Sequence, residues 1–216
     1  MIDYLKSLDT HLFLFLNCRH DMFWDYVMYW FSDKLIWVPM YILIAFFMIR
    51  RYKWKGFMML LFIALLITLC DQTASNLIKN TVQRLRPSHE PTLLNFVHLS
   101  KAGAGGRYGF VSSHAANAFG LASFLCFVLN KKFILLKYWL FIWAAVVSYS
   151  RIYNGVHYPS DIIVGGIIGF MLGWLVAQLY FYYDKKWFAK TQKYLSASMK
   201  TYPLLYLSFL WRFLIK

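Results

Sequence analysis

Residues 150–161 read SRIYNGVHYPSD, and they join two long apolar segments. An arginine, a histidine and an aspartate at the edge of a bilayer carry a desolvation cost that apolar residues there would not. Their clustering therefore needs a chemical reason. His157 and Asp161 are four residues apart, with Pro159 between them. Proline is tolerated in the first turn of a helix. A helix is predicted to start near Pro159, with His157 just before it and Asp161 just inside it, within reach of one another.

The flanking segments set the class. Of the 216 residues, 60% are hydrophobic and 21% aromatic, above the roughly half-apolar composition of soluble domains. About 20 apolar residues span a bilayer as a helix, with ~17 as the lower end. Five segments qualify or come close, at about 35–50, 56–78, 113–130, 133–150 and 161–183. The predicted fold is all-α, a polytopic membrane helix bundle of about five spans in one domain covering 1–216. Residues 4–33 are aromatic but interrupted by Asn17, Arg19, His20, Asp21 and Asp25. Region 1–34 is therefore expected to form amphipathic interfacial helices before a transmembrane core at 35–183. Region 184–216 is expected to be a basic tail, with the apolar stretch 203–215 also interfacial. The first ten residues, MIDYLKSLDT, lack a basic start followed by an apolar core, so no cleavable leader is expected.

Net charge is +14, which raises nucleic acid as a partner. The Lys and Arg instead fall in short blocks between apolar segments, as loops that set topology do, so a membrane and not nucleic acid is expected. Three cysteines without a C-x-x-C pair suggest neither a disulfide framework nor a zinc site. The loops RRYKWK (50–55), Lys131-Lys132 and the block from Lys185 to Lys193 are basic and alternate along the chain. They are expected to be cytoplasmic, which leaves 79–112 and 150–160 together on the outer side. Loop 79–112 is basic as well, an exception to the charge rule that points to function.

Three motifs thus meet on one face. KNTVQRLRP (79–87) carries Lys79 and Arg86, FVSSHAANAFG (110–120) carries Ser112, Ser113 and His114, and the opening stretch carries Arg151, His157 and Asp161. Taken singly, each residue has a plain reading. Lys79 and Arg86 read as interfacial anchors, and Arg84 fits that role better still. Ser112 reads as a helix N-cap, and Asp161 as a first-turn acid favoured by the helix dipole. Taken together they read differently. Three converging cations repel a metal ion and attract a multivalent anion, so no metal or other cofactor is expected. Arginine, lysine and helix N-terminal N–H groups suit phosphoryl oxygens. A histidine held by a carboxylate is a better nucleophile, and a second histidine can protonate a leaving oxygen.

Lys-x6-Arg-Pro, Ser-x-His and Ser-Arg-x5-His-x3-Asp, in that order, resemble the type-2 phosphatidic-acid phosphatase superfamily over roughly residues 56–183. The second motif departs from the family's Pro-Ser-Gly-His, with Val111 and Ser113 in place of proline and glycine. Many relatives have six spanning helices, and here the first is expected to be replaced by the amphipathic N-terminus. The resemblance implies that His157 attacks phosphorus to form a phosphohistidine and that Asp161 orients it. His114 would protonate the leaving oxygen and then activate water. Lys79, Arg86, Ser112, Arg151 and the Ser113 N–H would hold the phosphate.

The expected activity is hydrolysis of a lipid phosphate or diphosphate in the bilayer, on the periplasmic side of a bacterial inner membrane. Undecaprenyl diphosphate and lipid A phosphate are favoured. The loop 84–110, with Arg84, His89, His98, Lys101 and Arg107, suits a large anionic headgroup. Phosphatidylglycerol phosphate and phosphatidate are further candidates. Two alternatives use the same site: transfer of the phosphoryl group to an acceptor hydroxyl, and lipid binding or translocation without turnover.

Overall fold

The computed structural model describes the backbone of residues 2–201 and the side chains of residues 3–186. The predicted interfacial stretch at 203–215 lies outside the described residues. Two short helices open the chain, α1 (Ile2–Asn17) and α2 (Met22–Ser32). They are followed by α3 (Val38–Tyr52), α4 (Trp54–Asp71), a wide π-turn (Gln72–Ile78) and a single turn α5 (Lys79–Val82). After a long loop come α6 (Ser113–Val128), α7 (Ile134–Tyr153) and α8 (Pro159–Thr201). Among the described residues there is no strand, only an isolated bridge between Leu85 and Tyr108. Met1–Ala177 form one compact unit, and a second begins at Gln178, of which residues 178–201 are helical.

Among the described residues, four helical stretches are long and apolar enough to cross a membrane: Leu35–Tyr52, Trp54–Val82, Lys131–Tyr153 and Pro159–Lys186. They match four of the five predicted spans. The remaining one is shorter than expected. Predicted over 113–130, it is a helix of 16 residues, about 24 Å long at 1.5 Å per residue. Its surroundings explain how a short helix serves. Most of α6 is buried within the bundle, including Ala115, Ala116, Ala118, Leu121, Ala122 and Phe124, so it has little face that must match the thickness of the lipid.

Small residues bring α8 against α6. Added Cβ atoms at Gly165 and Gly173 would lie 2.6 Å from the Ser112 carbonyl oxygen and 2.5 Å from that of Gly120, and one at Gly169 would lie closer still to that of Ala116. This is small-residue packing at four-residue spacing, which lets two backbones touch where no hydrophobic effect drives association. The Ser123 hydroxyl adds a bond of 2.9 Å to the Phe170 carbonyl. The seam continues to the top of the helices, where the Ser112 N–H donates to the Asp161 carbonyl at 3.0 Å. A similar close approach joins α3 to α4, where a Cβ on Gly56 would collide with the Met48 carbonyl oxygen.

The polar residues that interrupt the N-terminal segment turn out to be latches. Asn17 is fully buried. Its amide donates to the carbonyls of Tyr153 (2.8 Å), His98 (3.1 Å) and Ile152 (3.2 Å), and its Oδ1 accepts from the His98 N–H (2.8 Å). Asp21 caps α2 through the Trp24 N–H. Asp25 accepts from the Tyr153 hydroxyl at 2.9 Å and contacts His98 Nε2 at 2.8 Å. His98 is thus engaged within the fold and not directed at a headgroup. Phe13 of α1 packs with Leu93, Ile152 and Tyr158, tying the first helix to the loop that carries His157.

Gly169→Leu is expected to separate α6 from α8. Overpacking typically costs about 1–3 kcal/mol, and more where backbone must move. The purified variant should unfold at clearly lower temperature than wild type. Equal melting temperatures would show that the close approach is dispensable.

Candidate functional site

The predicted site residues arrive from three places. Lys79 opens α5, immediately after the π-turn, whose wide geometry is closed by the Lys79 N–H bonding the Ala74 carbonyl. Such turns recur at functional sites. One extra residue rotates everything after it by ~100° relative to a continuous helix with 3.6 residues per turn. Lys79 Nζ reaches the Ser113 hydroxyl at 3.2 Å. Arg86 follows in the loop and is buried, its Nε donating to the Tyr108 carbonyl at 3.1 Å. Gly105, at φ +69°, makes room for it, since a Cβ there would stand 2.6 Å from Arg86 Nη1.

Ser112 caps α6, with its hydroxyl facing the Ala115 N–H at 3.5 Å. Ser113 and His114 form the first turn and line a cavity of about 490 Å³. Arg151, in the last turn of α7, bonds the Ser32 hydroxyl at the end of α2. His157 and Asp161 lie as the sequence predicted, with imidazole Nδ1 3.2 Å from carboxylate Oδ2. Oδ2 also accepts the Tyr158 N–H at 3.0 Å. Both side chains are buried, at 1% and 0% exposure.

Electrostatics draws these groups into one cluster. The charges of Arg86, Arg151 and Lys79 all act on His157, and those of Arg151, Lys79 and Lys34 act on His114, which also feels His157. Burial first, then the three cations, hold the His157 imidazole well below its ordinary range, and a hydrogen bond with the Gly109 backbone opposes this. His157 is therefore neutral at pH 7, with a lone pair free for chemistry. Burial also lowers Arg86, an effect opposed by Asp161, and guanidinium stays charged regardless. Two donors are left open. Arg86 Nη1 and Arg151 Nε are buried with no hydrogen-bond partner among the described residues. Buried guanidinium donors are ordinarily satisfied, and an anion with several oxygens would satisfy both. All eight predicted residues are thus placed at one end of the bundle. Among the described residues, no group of three or more His, Cys, Asp or Glu is placed to hold a metal ion.

The profile of the PAP2 superfamily matches residues 58–185. The chain belongs to the PAP2 superfamily. Its match covers all three motifs of this PAP2 site. The chain is 43% identical to a lipid A 4'-phosphatase of Bacteroides thetaiotaomicron, over 81% of this chain and 78% of that protein. It is 35% identical to a lipid A 4'-phosphatase of Porphyromonas gingivalis, over 86% and 78%. The crystal structure of Aquifex aeolicus LpxE is similar with a TM-score of 0.59 and 27% identity, covering 79% of this chain and 95% of that one.

Within this PAP2 site, the replacement of glycine by Ser113 has a simple account. Ser113 is the first helical residue of α6 and is not among the residues with positive φ, so a side chain brings no backbone strain. Its hydroxyl takes a bond from Lys79. Arg84 corrects the anchor reading. It points inward, with Nη1 3.2 Å from Asp161 Oδ1 and Nη2 2.7 Å from Asp9 Oδ2. Asp9 was missed altogether. Its only sequence signal was its place as one of two acids in an aromatic amphipathic helix.

The protonation state of His157 is directly measurable. In a titration of 13C-histidine-labelled protein by NMR, its imidazole should stay neutral to well below pH 6.5, and Arg151→Gln should move the midpoint upward. A midpoint at or above 6.5 in the wild type would contradict the arrangement.

Proposed function

We propose that this membrane lipid phosphatase removes a phosphate from a lipid A-type glycolipid through a phosphohistidine formed at His157. The observation that carries the reading is a neutral, carboxylate-held histidine among three cations, two with open donors, coupled to a second histidine that lines a largely apolar cavity. The cavity runs from Ser113 and His114 past Tyr41, Ala45, Leu60 and Ile63. A headgroup phosphate at its polar end leaves room for apolar substrate along its length. The two relatives named lipid A 4'-phosphatase support lipid A over the other lipids. The alternation of basic loops supports a site on the periplasmic side of a bacterial inner membrane.

In this mechanism Lys79, Arg86 and Arg151 take the phosphoryl oxygens, with Ser112 and the Ser113 N–H at the start of α6. The Nδ1–H of His157 donates to Asp161, so the lone pair on Nε2 faces phosphorus. A P–N bond forms as the P–O bond to the lipid breaks. His114 gives its proton to the departing oxygen. The incoming dianion offsets the cations that act on His114, which lets the imidazole carry that proton. Neutral His114 then takes a proton from water as its oxygen attacks phosphorus, and the P–N bond breaks. Inorganic phosphate leaves and His157 is restored.

Purified protein in detergent with excess chelator should release phosphate from lipid A faster than from undecaprenyl diphosphate, phosphatidylglycerol phosphate or phosphatidate. His157→Ala should reduce release to background. Preference for another lipid would overturn the substrate, and release that survives His157→Ala would overturn the mechanism.

A further inference from the structure

We infer that Arg84 and Asp9 are positioning residues for the nucleophile, so that the N-terminal helix is part of the catalytic apparatus. The inference rests on the proposed role of His157. It starts from the two oxygens of Asp161. Oδ2 is occupied by His157 Nδ1 and the Tyr158 N–H. Oδ1 faces Arg84 Nη1 at 3.2 Å. A fully buried carboxylate needs compensation on both oxygens, and the direct ion pair comes from Arg84. The plane of that carboxylate sets the direction of the imidazole, so whatever fixes Arg84 fixes the aim of His157.

Arg84 is itself held on three sides. Its guanidinium lies 3.8 Å from the centre of the Tyr158 ring. Nη1 also donates to the Ser160 hydroxyl at 2.7 Å, and Nη2 donates to Asp9 Oδ2 at 2.7 Å. Asp9 bonds the same helix terminus, accepting the Ser160 N–H at 2.9 Å on Oδ1 and the Ser160 hydroxyl on Oδ2. An orphan N–H in the first turn of α8 is thereby satisfied from another helix. The side chains of Arg84 and Asp9 are 22% and 11% exposed, sheltered enough for the pair to hold its geometry. Asp9 lies outside residues 58–185, which match the family. Arg84 also differs in kind from the phosphate-facing arginines. Both its Nη groups are committed to protein oxygens, whereas Arg86 Nη1 and Arg151 Nε have no partner among the described residues.

The test compares full-length Arg84→Gln, Arg84→Lys, Asp9→Asn and the Arg84→Gln/Asp9→Asn pair with wild type. Asp9→Asn keeps an acceptor for the Ser160 N–H, so it guards against simple loss of folding. Three quantities are read: kcat and KM on lipid A, the inhibition constant of inorganic phosphate, and the His157 imidazole signal in 13C-histidine NMR. A reacting group misplaced by ~1 Å loses about 100-fold in rate. The expected result is a kcat lowered about 10- to 100-fold in Arg84→Gln and Asp9→Asn, on that same basis. KM and phosphate inhibition should stay unchanged, the His157 signal should shift in both, and Arg84→Lys should recover part of the rate. The double variant should lose no more than the worse single one, as residues acting in one chain do. Unchanged kcat, or an inhibition constant that rises as kcat falls, would overturn the inference; the latter would make Arg84 a phosphate ligand. If wild-type protein turns over no lipid, the proposed function fails on its own, and an unmoved His157 signal would still decide against positioning.

Discussion

The contact between the backbones of α6 and α8 is the constraint on which the rest of this molecule depends. Gly165, Gly169 and Gly173 let the two helices touch at three points over about two turns. Their upper ends are then joined by a backbone bond from Ser112 to Asp161. One of these helices begins with Ser112, Ser113 and His114, and the other with His157 and Asp161 at its entrance. The close approach holds the two helix starts, and with them the two histidines, near one another. Neither polar motif would define a site alone. The seam turns two separate helix starts into one cluster of polar groups.

Once that cluster exists, its charges must be held without collapsing. Lys79, Arg86 and Arg151 repel one another in a sheltered place, and among the described residues none forms an ion pair with an acid of its own. Each is pinned by a neutral oxygen instead: Ser113, the Tyr108 carbonyl and Ser32 respectively. This leaves net positive potential and open donors where an anion would sit. The carboxylate nearby is directed away from that space, toward His157, the Tyr158 N–H and Arg84. Such an arrangement gains most from a multivalent anion, which is what electrostatic preorganisation requires.

Much of this was legible in the chain. The i, i+4 spacing of His157 and Asp161 around Pro159, and the cap at Ser112, are local features, and they fold as local rules predict. Helices from 35, 54, 131 and 159 follow from hydropathy. What could not be read depends on contacts between distant segments or on an irregular turn. Lys79 faces the site only beyond a π-turn, which a 3.6-residue period does not anticipate. Arg84, two residues before Arg86, looked like a better lipid anchor because its partner Asp9 lies 75 residues away in sequence. The polar breaks at Asn17 and Asp25 signalled a helix unfit for lipid. They did not reveal that those side chains lock the N-terminus onto the loops around the site.

The central claim is that phosphate passes through a covalent bond to His157. Rapid acid-free quenching of the enzyme with 32P-labelled lipid A, followed by peptide mapping, addresses it most directly. The account predicts a phosphoenzyme that is labile in acid and stable in base, carried on the peptide containing His157 and absent from His157→Asn. In His114→Ala it should form and decay more slowly, since that residue serves both steps. Wild-type turnover without any trapped phosphoenzyme, or label carried on another residue, would contradict it.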